Sequence, residues 1–375
     1  MFDYHRPIYR KLLVLINVFV IIVYLSVCLV PFINTGIYWL VALAGLGFPL
    51  LLLVLLLFIL LWAVLKSKWL WVTLVAVVLG FQQIIAVFSF HFQKEFSLQK
   101  EPGILRVMHW NLQNWGNEYD KTEKGRSTFV PYMMDLIHVN DADVLCFSEY
   151  ADVGNKETIY PHASELTKSG YPYHLFAPTD TSYTDIAQGV AIFSKYPIVH
   201  SDVFNYGEYA NAEHLIYVDI NTGKDTFRVF TTHLQSVHFD GSDYRSLDRL
   251  RRARDPGYHD SRNVVSKLKN GYWYRYLQAQ LVKQKIRESP YPVILTGDFN
   301  DVPSSNTYFT IKSNLQDAFL TKGSWIGRTF RYISPTLRID YILADQKFKV
   351  TQFEVIHVNY SDHYPIITDL RYKDH

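Results

Sequence analysis

The chain has 375 residues and a formal net charge of +2 at pH 7, from 37 Lys and Arg residues against 35 Asp and Glu. This average conceals two regions, because residues 1–99 are almost entirely apolar and the rest has the composition of a globular domain. Residues 1–99 contain six Lys and Arg and two Asp and Glu, so residues 100–375 carry a net charge of about −2. The second region is large enough for one α/β domain and is not globally suited to attract nucleic acid.

Three apolar stretches in the first region predict membrane-spanning helices. No Asp, Glu, Lys or Arg occurs in residues 12–65 or 69–93. A bilayer core about 30 Å thick is crossed by roughly 20 apolar residues in a helix. A cleaved signal peptide is the alternative for the first stretch, but two further stretches follow it and no small-residue cleavage site is evident. We therefore predict a membrane anchor over residues 1–93, with spans at about 12–33, 37–65 and 69–90.

The distribution of positive residues predicts the orientation of this anchor. Arg6, Arg10 and Lys11 precede the first span, and Lys66 and Lys68 separate the second from the third. Lys and Arg in short flanking segments favour the cytoplasmic side. Three spans then put the remaining chain on the extracytoplasmic side, which in a Gram-negative bacterium is the periplasmic side of the inner membrane. The predicted partner of this region is the lipid bilayer, and no obligate protein partner is predicted.

A short polar linker at residues 94–103 leads into a single predicted domain at residues 104–375. Helical patterns are clearest at 128–139 and 274–287. Strand-like runs are short and rich in Val, Ile, Phe and Thr. They fall at 105–110, 144–147, 189–193, 215–219, 227–232, 293–296, 339–343 and 365–370. Strands interspersed with helices predict a layered α/β or α+β domain.

Polar segments close several of these strand-like runs. The five segments are His109-Trp-Asn-Leu-Gln113, Phe147-Ser-Glu149, Thr231-Thr-His-Leu-Gln235, Gly297-Asp-Phe-Asn-Asp301 and Ser361-Asp-His363. A sixth, Arg338-Ile-Asp-Tyr-Ile342, comes just before the last of these. Carboxylates, amides and histidines thus recur where strands end, and strand ends are where layered α/β enzymes bind their ligands.

The residue types in these segments suit phosphate ester hydrolysis. That reaction needs a cation to neutralise phosphoryl oxygens, a base to position water and a donor for the leaving oxygen. Mg²⁺ takes a few oxygen ligands and keeps several waters. Glu149 directly after a buried strand suits a hard metal, although a solvated strand end is the commoner interpretation of such a residue alone. Asp298 and Asn300 are spaced two apart, so both side chains can face one side.

In their wording and order, the six segments resemble the endonuclease/exonuclease/phosphatase superfamily, which has the fold of pancreatic deoxyribonuclease. The resemblance extends over residues 105–370 and leaves the membrane region outside it. It implies a four-layered α/β sandwich, in which two packed β-sheets are flanked by helices. The three transmembrane helices predicted from the apolar stretches precede this sandwich. The resemblance also implies a divalent-metal phosphoric ester hydrolase of the nuclease and phosphodiesterase class, with Mg²⁺ as the cofactor and Mn²⁺ as the alternative.

The resemblance assigns a metal set to three residues of this chain. Asn111 and Glu149 correspond to positions that hold the metal and an adjacent oxygen, and Asp362 corresponds to the metal region. Taken alone, Asn111 would be interpreted as a turn residue at the end of the first strand. The match to the superfamily favours the metal role for all three.

The resemblance assigns catalytic roles to five further residues. His233 corresponds to a histidine that contacts the scissile phosphate and assists the leaving group. Asp298 corresponds to the carboxylate that orients the attacking water, and Asn300 to an amide that binds phosphate. His363 corresponds to a phosphate-binding or general-base histidine, and Asp340 to the carboxylate that orients it. An Asp–His pair of this kind fixes the imidazole tautomer and favours the protonated form.

The sequence leaves the substrate open among nucleic acids, phospholipid headgroups and inositol phosphates. Membrane anchoring and a weak likeness of the His-Leu-Gln sequence at residues 233–235 to bacterial sphingomyelinases favour lipid. Residues 245–269 contain eight Lys and Arg against three Asp, which is either an electropositive lip beside the site or a solvated helix face. A non-catalytic binding module on the same fold is the alternative to an enzyme.

Overall fold

The computed structural model of the chain describes residues 8–91, 95–117, 129–153, 161–180, 186–207, 212–237, 258–332 and 334–373. Within these residues, two six-stranded mixed β-sheets pack face to face, and helices cover their outer faces. This arrangement is the four-layered sandwich that the sequence predicts, so the predicted fold class is confirmed.

The helices divide between the membrane region and the sandwich. In chain order they are α1 Ile8–Cys28, α2 Trp39–Gly45, α3 Phe48–Val64, α4 Trp69–Leu79, α5 Phe81–Val87, α6 Val130–Asn140, α7 Pro161–Lys168, α8 Tyr258–Arg287, α9 Asn306–Lys312 and α10 Ala318–Lys322. A 3₁₀ helix, Val30–Phe32, follows α1. Residues Gln113–Asn117 form a separate turn whose central backbone is left-handed.

The strands form two large sheets and one small pair. They are β1 Ser89–Phe90, β2 Ile104–Asn111, β3 Val144–Val153, β4 Tyr173–Asp180, β5 Ile186–Ser194, β6 Ile198–Phe204, β7 Leu215–Asn221, β8 Thr226–His233, β9 Val293–Asp298, β10 Gln316–Asp317, β11 Ser324–Trp325, β12 Asp340–Ala344, β13 Phe348–Val355 and β14 Ile366–Tyr372. One sheet has the order β10-β12-β9-β8-β7-β6, and the other has the order β13-β14-β2-β3-β5-β4. β1 pairs with β11 apart from both sheets.

The core lies between the two sheets and is built from their inward-facing side chains. Val107 and Cys146 of one sheet belong to the same buried cluster as Val229 and Ile294 of the other. Two further clusters lie on the outer faces, one beneath α6 and one beneath α8 and α9. Burying each large aliphatic side chain contributes roughly 1.5–3 kcal/mol, so alternating apolar residues fix which face of each strand turns inward.

Each sheet contains one parallel strand pair among antiparallel neighbours. β2 is parallel to β3, and β8 is parallel to β9. The carboxyl ends of a parallel pair meet at one edge of a sheet, which is the usual ligand-binding edge of α/β folds. Packing of the sheets brings these two edges together, because Nδ2 of Asn111 at the end of β2 lies 3.1 Å from Oδ2 of Asp298 at the end of β9.

All eight strands that the sequence predicts are present. Three further strands of seven or eight residues are not predicted. The unpredicted strands, β4, β6 and β13, lie at sheet edges. Edge strands bury less surface and therefore show weaker hydrophobic alternation, as in β6, where five of seven residues are exposed. The helix predicted at 274–287 is also wrong at its start, because α8 begins at Tyr258.

The apolar N-terminal region contains one helix long enough to cross a membrane and two bent helix pairs. Ile8–Phe32 is long and apolar enough to cross a membrane alone, and there are three spans if each bent helix pair counts as one. The α2–α3 pair bends by 67° and the α4–α5 pair by 58°. The first bend is at Gly47, which precedes Pro49, and the second is at Gly80. Glycine and proline are the usual causes of such kinks.

The sandwich packs directly on the ends of these helices. Asn306 donates a hydrogen bond to the carbonyl oxygen of Pro31 over 2.9 Å, and Arg338 donates one to Ala86 over 2.9 Å. Both contacts are made at the helix ends that carry no Lys or Arg. The linker segment also lies against the sandwich, since Arg106 donates to the Leu98 carbonyl over 2.9 Å.

Candidate active site

Three predicted site residues stand side by side on neighbouring strands. In the register of β8, β9 and β12, His233 is opposite Asp298, and Asp298 is opposite Asp340. The strands approach closely at this point, because a Cβ added to Gly297 would lie 2.3 Å from the Thr232 carbonyl oxygen. Only glycine fits there, which explains its place before Asp298 in the Gly-Asp-Phe-Asn sequence.

Asp298 is the centre of the cluster and is buried. Its Oδ2 lies 3.1 Å from Nδ2 of Asn111 and 3.6 Å from Nε2 of both His233 and His363. Its Oδ1 accepts the backbone N–H of Asn300 over 2.8 Å. Burial and the nearby Asp340 carboxylate raise the pKa of Asp298, while the two histidines act in the opposite direction. The carboxylate is therefore held in a fixed orientation with one oxygen facing two imidazoles.

His363 lies between two carboxylates. Its Nδ1 is 2.8 Å from Oδ2 of Asp340, whose Oδ1 is 3.3 Å from Nε2 of His109. Burial alone would lower the pKa of His363, but Asp340 and Asp298 raise it well above its usual value. Burial would raise the pKa of Asp340, but His363 and His109 lower it. The pair is thus an imidazolium held by a carboxylate.

Glu149 brings a third carboxylate to this edge, from the other sheet. It lies in β3 at a bulge between Phe147 and Tyr150, with a φ of +47°. Bulges redirect side chains, and here Oε1 of Glu149 accepts Nδ2 of Asn111 over 3.1 Å. Burial, with smaller effects from neighbouring carboxylates, raises the pKa of Glu149 to about 7.

His233 is paired with a residue that the sequence did not identify. Its Nδ1 lies 3.2 Å from Oε2 of Glu213, and the same oxygen accepts the backbone N–H of Glu149 over 3.0 Å. Burial would lower the pKa of His233, but Glu213, Asp298 and Glu149 raise it to about 10. Glu213 precedes β7, the antiparallel neighbour of β8, so its position at this edge follows from a strand pairing that the sequence does not specify.

The remaining predicted residues border the cluster. Asn300 has a φ of +50°, which asparagine tolerates, and its Nδ2 donates to the Leu234 carbonyl over 3.0 Å. The backbone N–H of Asp362 donates to Oε1 of Gln113 over 3.0 Å. The carboxylate of Asp362 is close enough to raise the pKa of both Glu149 and His363. All eight site residues predicted from the sequence thus converge on one edge of the sandwich.

His109 is a second residue that the sequence analysis missed. It lies two positions before Asn111 in β2, so both side chains point to the same face of the sheet. The ring of His109 is the second hydrogen-bond donor to the Asp340 carboxylate, beside His363. Side chains alternate between the two faces of a strand, and this alternation along β2 is the sequence signal that places His109 beside Asn111.

The donor set fits a divalent cation. Within the described part of the chain, Asp298, Asp340 and His363 offer ligand atoms that lie within 4.8 Å of one another. His363 is already engaged with Asp340, so it is better placed as a proton donor than as a ligand. Among the residues that the structure describes, Glu149, Asp298 and Asp340 pair with histidines and with no Lys or Arg. The three carboxylates outnumber the two protonated histidines that they contact, His233 and His363, so negative charge remains that a hard cation would neutralise.

The basic segment predicted to border the site falls largely outside the described residues. Residues 245–257 are not among them, nor are the side chains of residues 258–264. Lys267 and Lys269 lie in α8. The two alternatives for this segment therefore remain as the sequence leaves them.

Two family models match the chain. A model of the Endonuclease/Exonuclease/phosphatase family matches residues 110–363, which is more than half of the chain. A model described as a domain of unknown function (DUF8431) matches residues 10–87, the membrane region. A search of the curated proteins found no match.

Solved structures share this fold at low sequence identity. The endonuclease/exonuclease/phosphatase from Beutenbergia cavernae is 21% identical with a TM-score of 0.50, and the match covers 72% of each chain. A family protein from Bacteroides thetaiotaomicron is 19% identical with a TM-score of 0.50, covering 73% of this chain and 100% of that one. One from Bacteroides vulgatus is 17% identical with a TM-score of 0.50, covering 72% and 99%. The fold and the family match agree, and the chain belongs to the endonuclease/exonuclease/phosphatase family.

Proposed function

We propose that this protein is a membrane-anchored, divalent-metal-dependent phosphoesterase that hydrolyses phosphodiester bonds. The observation that carries the proposal is the row of His233, Asp298 and Asp340 in one register, with His363 held between the two carboxylates. A buried row of alternating acids and imidazolium groups can position water and donate protons at the same point. That combination is what phosphate ester hydrolysis requires.

In this proposal, Asp298 orients the attacking water. One of its oxygens is fixed by the Asn300 backbone N–H over 2.8 Å, so the other defines the direction of approach. The raised pKa of Asp298, caused first by burial, strengthens it as a proton acceptor. Asn300 contributes an amide at the adjacent turn, where it can donate to a phosphoryl oxygen.

His363 and His233 act as donors in the same scheme. Raised pKa values keep both imidazoles protonated at neutral pH, since carboxylates outweigh burial at each. A protonated histidine cannot accept the proton of water, so the donor role is favoured over the general-base role for His363. His363 stabilises charge on the phosphoryl group, and His233 supplies a proton to the leaving oxygen.

Glu149, Asn111 and Asp362 would hold the metal in this proposal, with Mg²⁺ preferred and Mn²⁺ as the alternative. A cation bound by them would neutralise phosphoryl oxygens and orient the substrate. The Glu149→Gln substitution keeps the size of the side chain and removes its charge, so the Mg²⁺ concentration giving half-maximal activity should rise steeply. Native activity with an unchanged metal requirement would remove Glu149 from the metal set.

The domain division and topology belong to the same proposal. Residues 1–93 form the anchor, 94–103 the linker, and 104–375 the catalytic domain on the extracytoplasmic side. The contacts between the sandwich and the helix ends that lack Lys and Arg support this orientation. A C-terminal alkaline phosphatase fusion should be active, and a fluorescent protein that folds only in the cytoplasm should be dark. The reverse pattern would contradict the topology.

Hydrolysis of bis-p-nitrophenyl phosphate tests the activity itself. The purified full-length chain in detergent should release p-nitrophenol with Mg²⁺ or Mn²⁺, and should lose this activity after chelation and recover it when metal is restored. Release that is insensitive to chelation would contradict the metal dependence. No release with any divalent metal would favour the non-catalytic binding module.

A further inference from the structure

The loop that follows Asp298 is fastened to the membrane helices. Ser304 donates a hydrogen bond to the Gly45 carbonyl over 2.9 Å, and Asn306 donates to the carbonyls of Pro31 and Ile33 over 2.9 and 3.2 Å. Ser304 is four residues beyond Asn300, a separation of at most about 14 Å. The turn that carries Asn300 is therefore held at the end of the first span and beside the bend in the second.

A second loop fastens the opposite side of the site to the third span. Ser324 and Trp325 form a strand pair with Ser89 and Phe90, directly after α5. Five residues further on, Phe330 forms a β-bridge with His363, and the two rings lie 5.0 Å apart. The loop thus runs from the end of the last membrane helix to the imidazole of the catalytic site.

Close packing reinforces these two attachments. A Cβ added to Gly36, in the connection between the first two spans, would lie 2.4 Å from a ring carbon of Trp273 in α8. Arg338, two residues before Asp340, has a buried guanidinium that donates to the Ala86 carbonyl over 2.9 Å. The anchor and the sandwich are therefore one packed unit, and not a domain on a flexible tether.

Exposed aromatic residues lie along the same boundary. Phe90, which is opposite Ser324 in the strand pair, and Trp325, which is opposite Ser89, are 67% and 72% exposed. Tyr332, whose ring contacts that of Phe330, is 54% exposed. Trp and Tyr concentrate at the level of lipid headgroups, where their rings are partly apolar and partly hydrated. Their position on the loop that reaches His363 supports a location of the site near the headgroup layer.

We propose that the site takes its ester from the bilayer that holds the chain, so that its substrate is the headgroup phosphodiester of a membrane phospholipid. This inference rests on the proposed function. Water adds across one P–O bond, giving a phosphomonoester and an alcohol, and the proton passes to the leaving oxygen. The slightly acidic domain and the fixed position of the site at the membrane favour a lipid over a nucleic acid. A nucleic acid is a long polymer that would have to approach the site along the bilayer surface.

The test uses the full-length chain reconstituted in vesicles of phosphatidylethanolamine and phosphatidylglycerol with Mg²⁺. Phosphorus NMR and mass spectrometry should detect a phosphomonoester and its alcohol partner. At equal phosphodiester concentration, turnover of lipid should exceed turnover of a single-stranded DNA oligonucleotide by about tenfold or more, as expected for a substrate held in position. Intact lipid beside hydrolysed bis-p-nitrophenyl phosphate, or faster cleavage of the oligonucleotide, would overturn the lipid assignment and leave the proposed function standing. Failure of all three substrates would overturn both.

A docking variant tests whether the membrane helices contribute to lipid turnover. In the Ser304→Ala/Asn306→Ala variant, the ratio of lipid to bis-p-nitrophenyl phosphate turnover should fall about tenfold, because small displacements of a positioned group are costly. Gln316→Ala is the matched control, since its amide also donates to two backbone carbonyls, of Asp345 and Phe348, but within the sandwich. The control should keep the native ratio. Equal ratios in the docking variant and the control would overturn the role given to the docked helices.

Gly36→Val provides an independent variant within the anchor. It adds bulk against Trp273 and changes no residue of the catalytic domain. The same fall in the lipid ratio is expected, with turnover of the soluble ester retained. A native lipid ratio in vesicles that contain the folded Gly36→Val protein would count against the proposal.

Discussion

The contact between His363 and Asp340 is the shortest polar contact between site side chains, at 2.8 Å. Among the described residues, the carboxylate of Asp340 has polar side-chain contacts with the rings of His363 and His109. Its expected role is therefore to hold the imidazole in one orientation and keep it protonated. A group that acts only through another loses its effect once that other group is removed.

This relation predicts a non-additive double substitution. His363→Ala should lower kcat by about 10²–10⁴-fold, the usual contribution of positioned acid–base groups. Asp340→Asn should cause a smaller loss, and the double variant should be little slower than His363→Ala alone. Steady-state kinetics with bis-p-nitrophenyl phosphate would measure all three. Fully additive losses would mean that the two residues do not work as a pair.

The pairing of His233 with Glu213 predicts a pH dependence of stability. The pKa of His233 is raised to about 10 in the folded protein, because the nearby carboxylates outweigh burial. A raised folded-state pKa stabilises the protein fully below the unfolded pKa of about 6.5, and this stabilisation is lost as the pH rises through the folded value. The unfolding midpoint should therefore fall between pH 7 and 10, and the fall should be smaller in Glu213→Gln. Identical pH profiles would contradict the pairing.

The convergence of Asp298, His363 and their companions could be anticipated from the sequence, because the polar segments that contain them lie beside strands and resemble those of the family. The partners of these residues were less predictable. Glu213 enters from an antiparallel neighbour, and its approach to His233 depends on the pairing of β7 with β8. Hydrophobic periodicity indicates that strands exist, but it does not specify which strands pair.

At the scale of elements, the same limit explains what the sequence missed. Central strands such as β9 are buried on both faces and read as apolar runs. The left-handed turn Gln113–Asn117 has no such signature in the sequence. Left-handed backbone costs roughly 1–2 kcal/mol per non-glycine residue, so local sequence preferences do not predict this turn. Tertiary packing offsets that cost, because Trp115 is fully buried and its Nε1 donates to the Ala151 carbonyl over 2.9 Å.

The contact between α5 and the sandwich centres on one buried ion pair. Arg338 lies 2.7 Å from Oδ2 of Asp317, and the same oxygen accepts the hydroxyl of Tyr308 over 2.8 Å. Replacing Arg338 with an apolar residue leaves Asp317 as an uncompensated buried charge, which typically costs about 3–5 kcal/mol. The second donor of Arg338 also holds the end of α5 through Ala86.

Arg338→Met should therefore lower the free energy of unfolding by about 3–5 kcal/mol. Arg371→Met is the matched control, because Arg371 pairs with Glu101 on the surface, where such pairs contribute about 0–1 kcal/mol. Chemical denaturation in detergent would measure both. Equal losses of unfolding free energy in the two variants would show that the Arg338–Asp317 pair does not stabilise the contact between α5 and the sandwich.

At the scale of the whole molecule, the sequence separates an apolar region from a predicted sandwich but does not indicate how closely the two pack. The bends at Gly47 and Gly80 turn helices that the sequence presents as continuous apolar runs. Contacts such as that of Asn306 with Pro31 join polar side chains of the sandwich to backbone carbonyls, and every residue has a backbone carbonyl. Such contacts leave no pattern in the apolar region from which they could be inferred.

Turnover of bis-p-nitrophenyl phosphate by the full-length chain and by its Asp298→Asn variant, both with Mg²⁺, tests the account most directly. Asp298 contacts Asn111, His233 and His363, and all the proposed steps meet at its carboxylate. The substitution preserves shape, so the unfolding midpoint should change little while kcat falls by about 10²–10⁴-fold. Native turnover by a folded Asp298→Asn variant would contradict the assignment of this cluster as the active site.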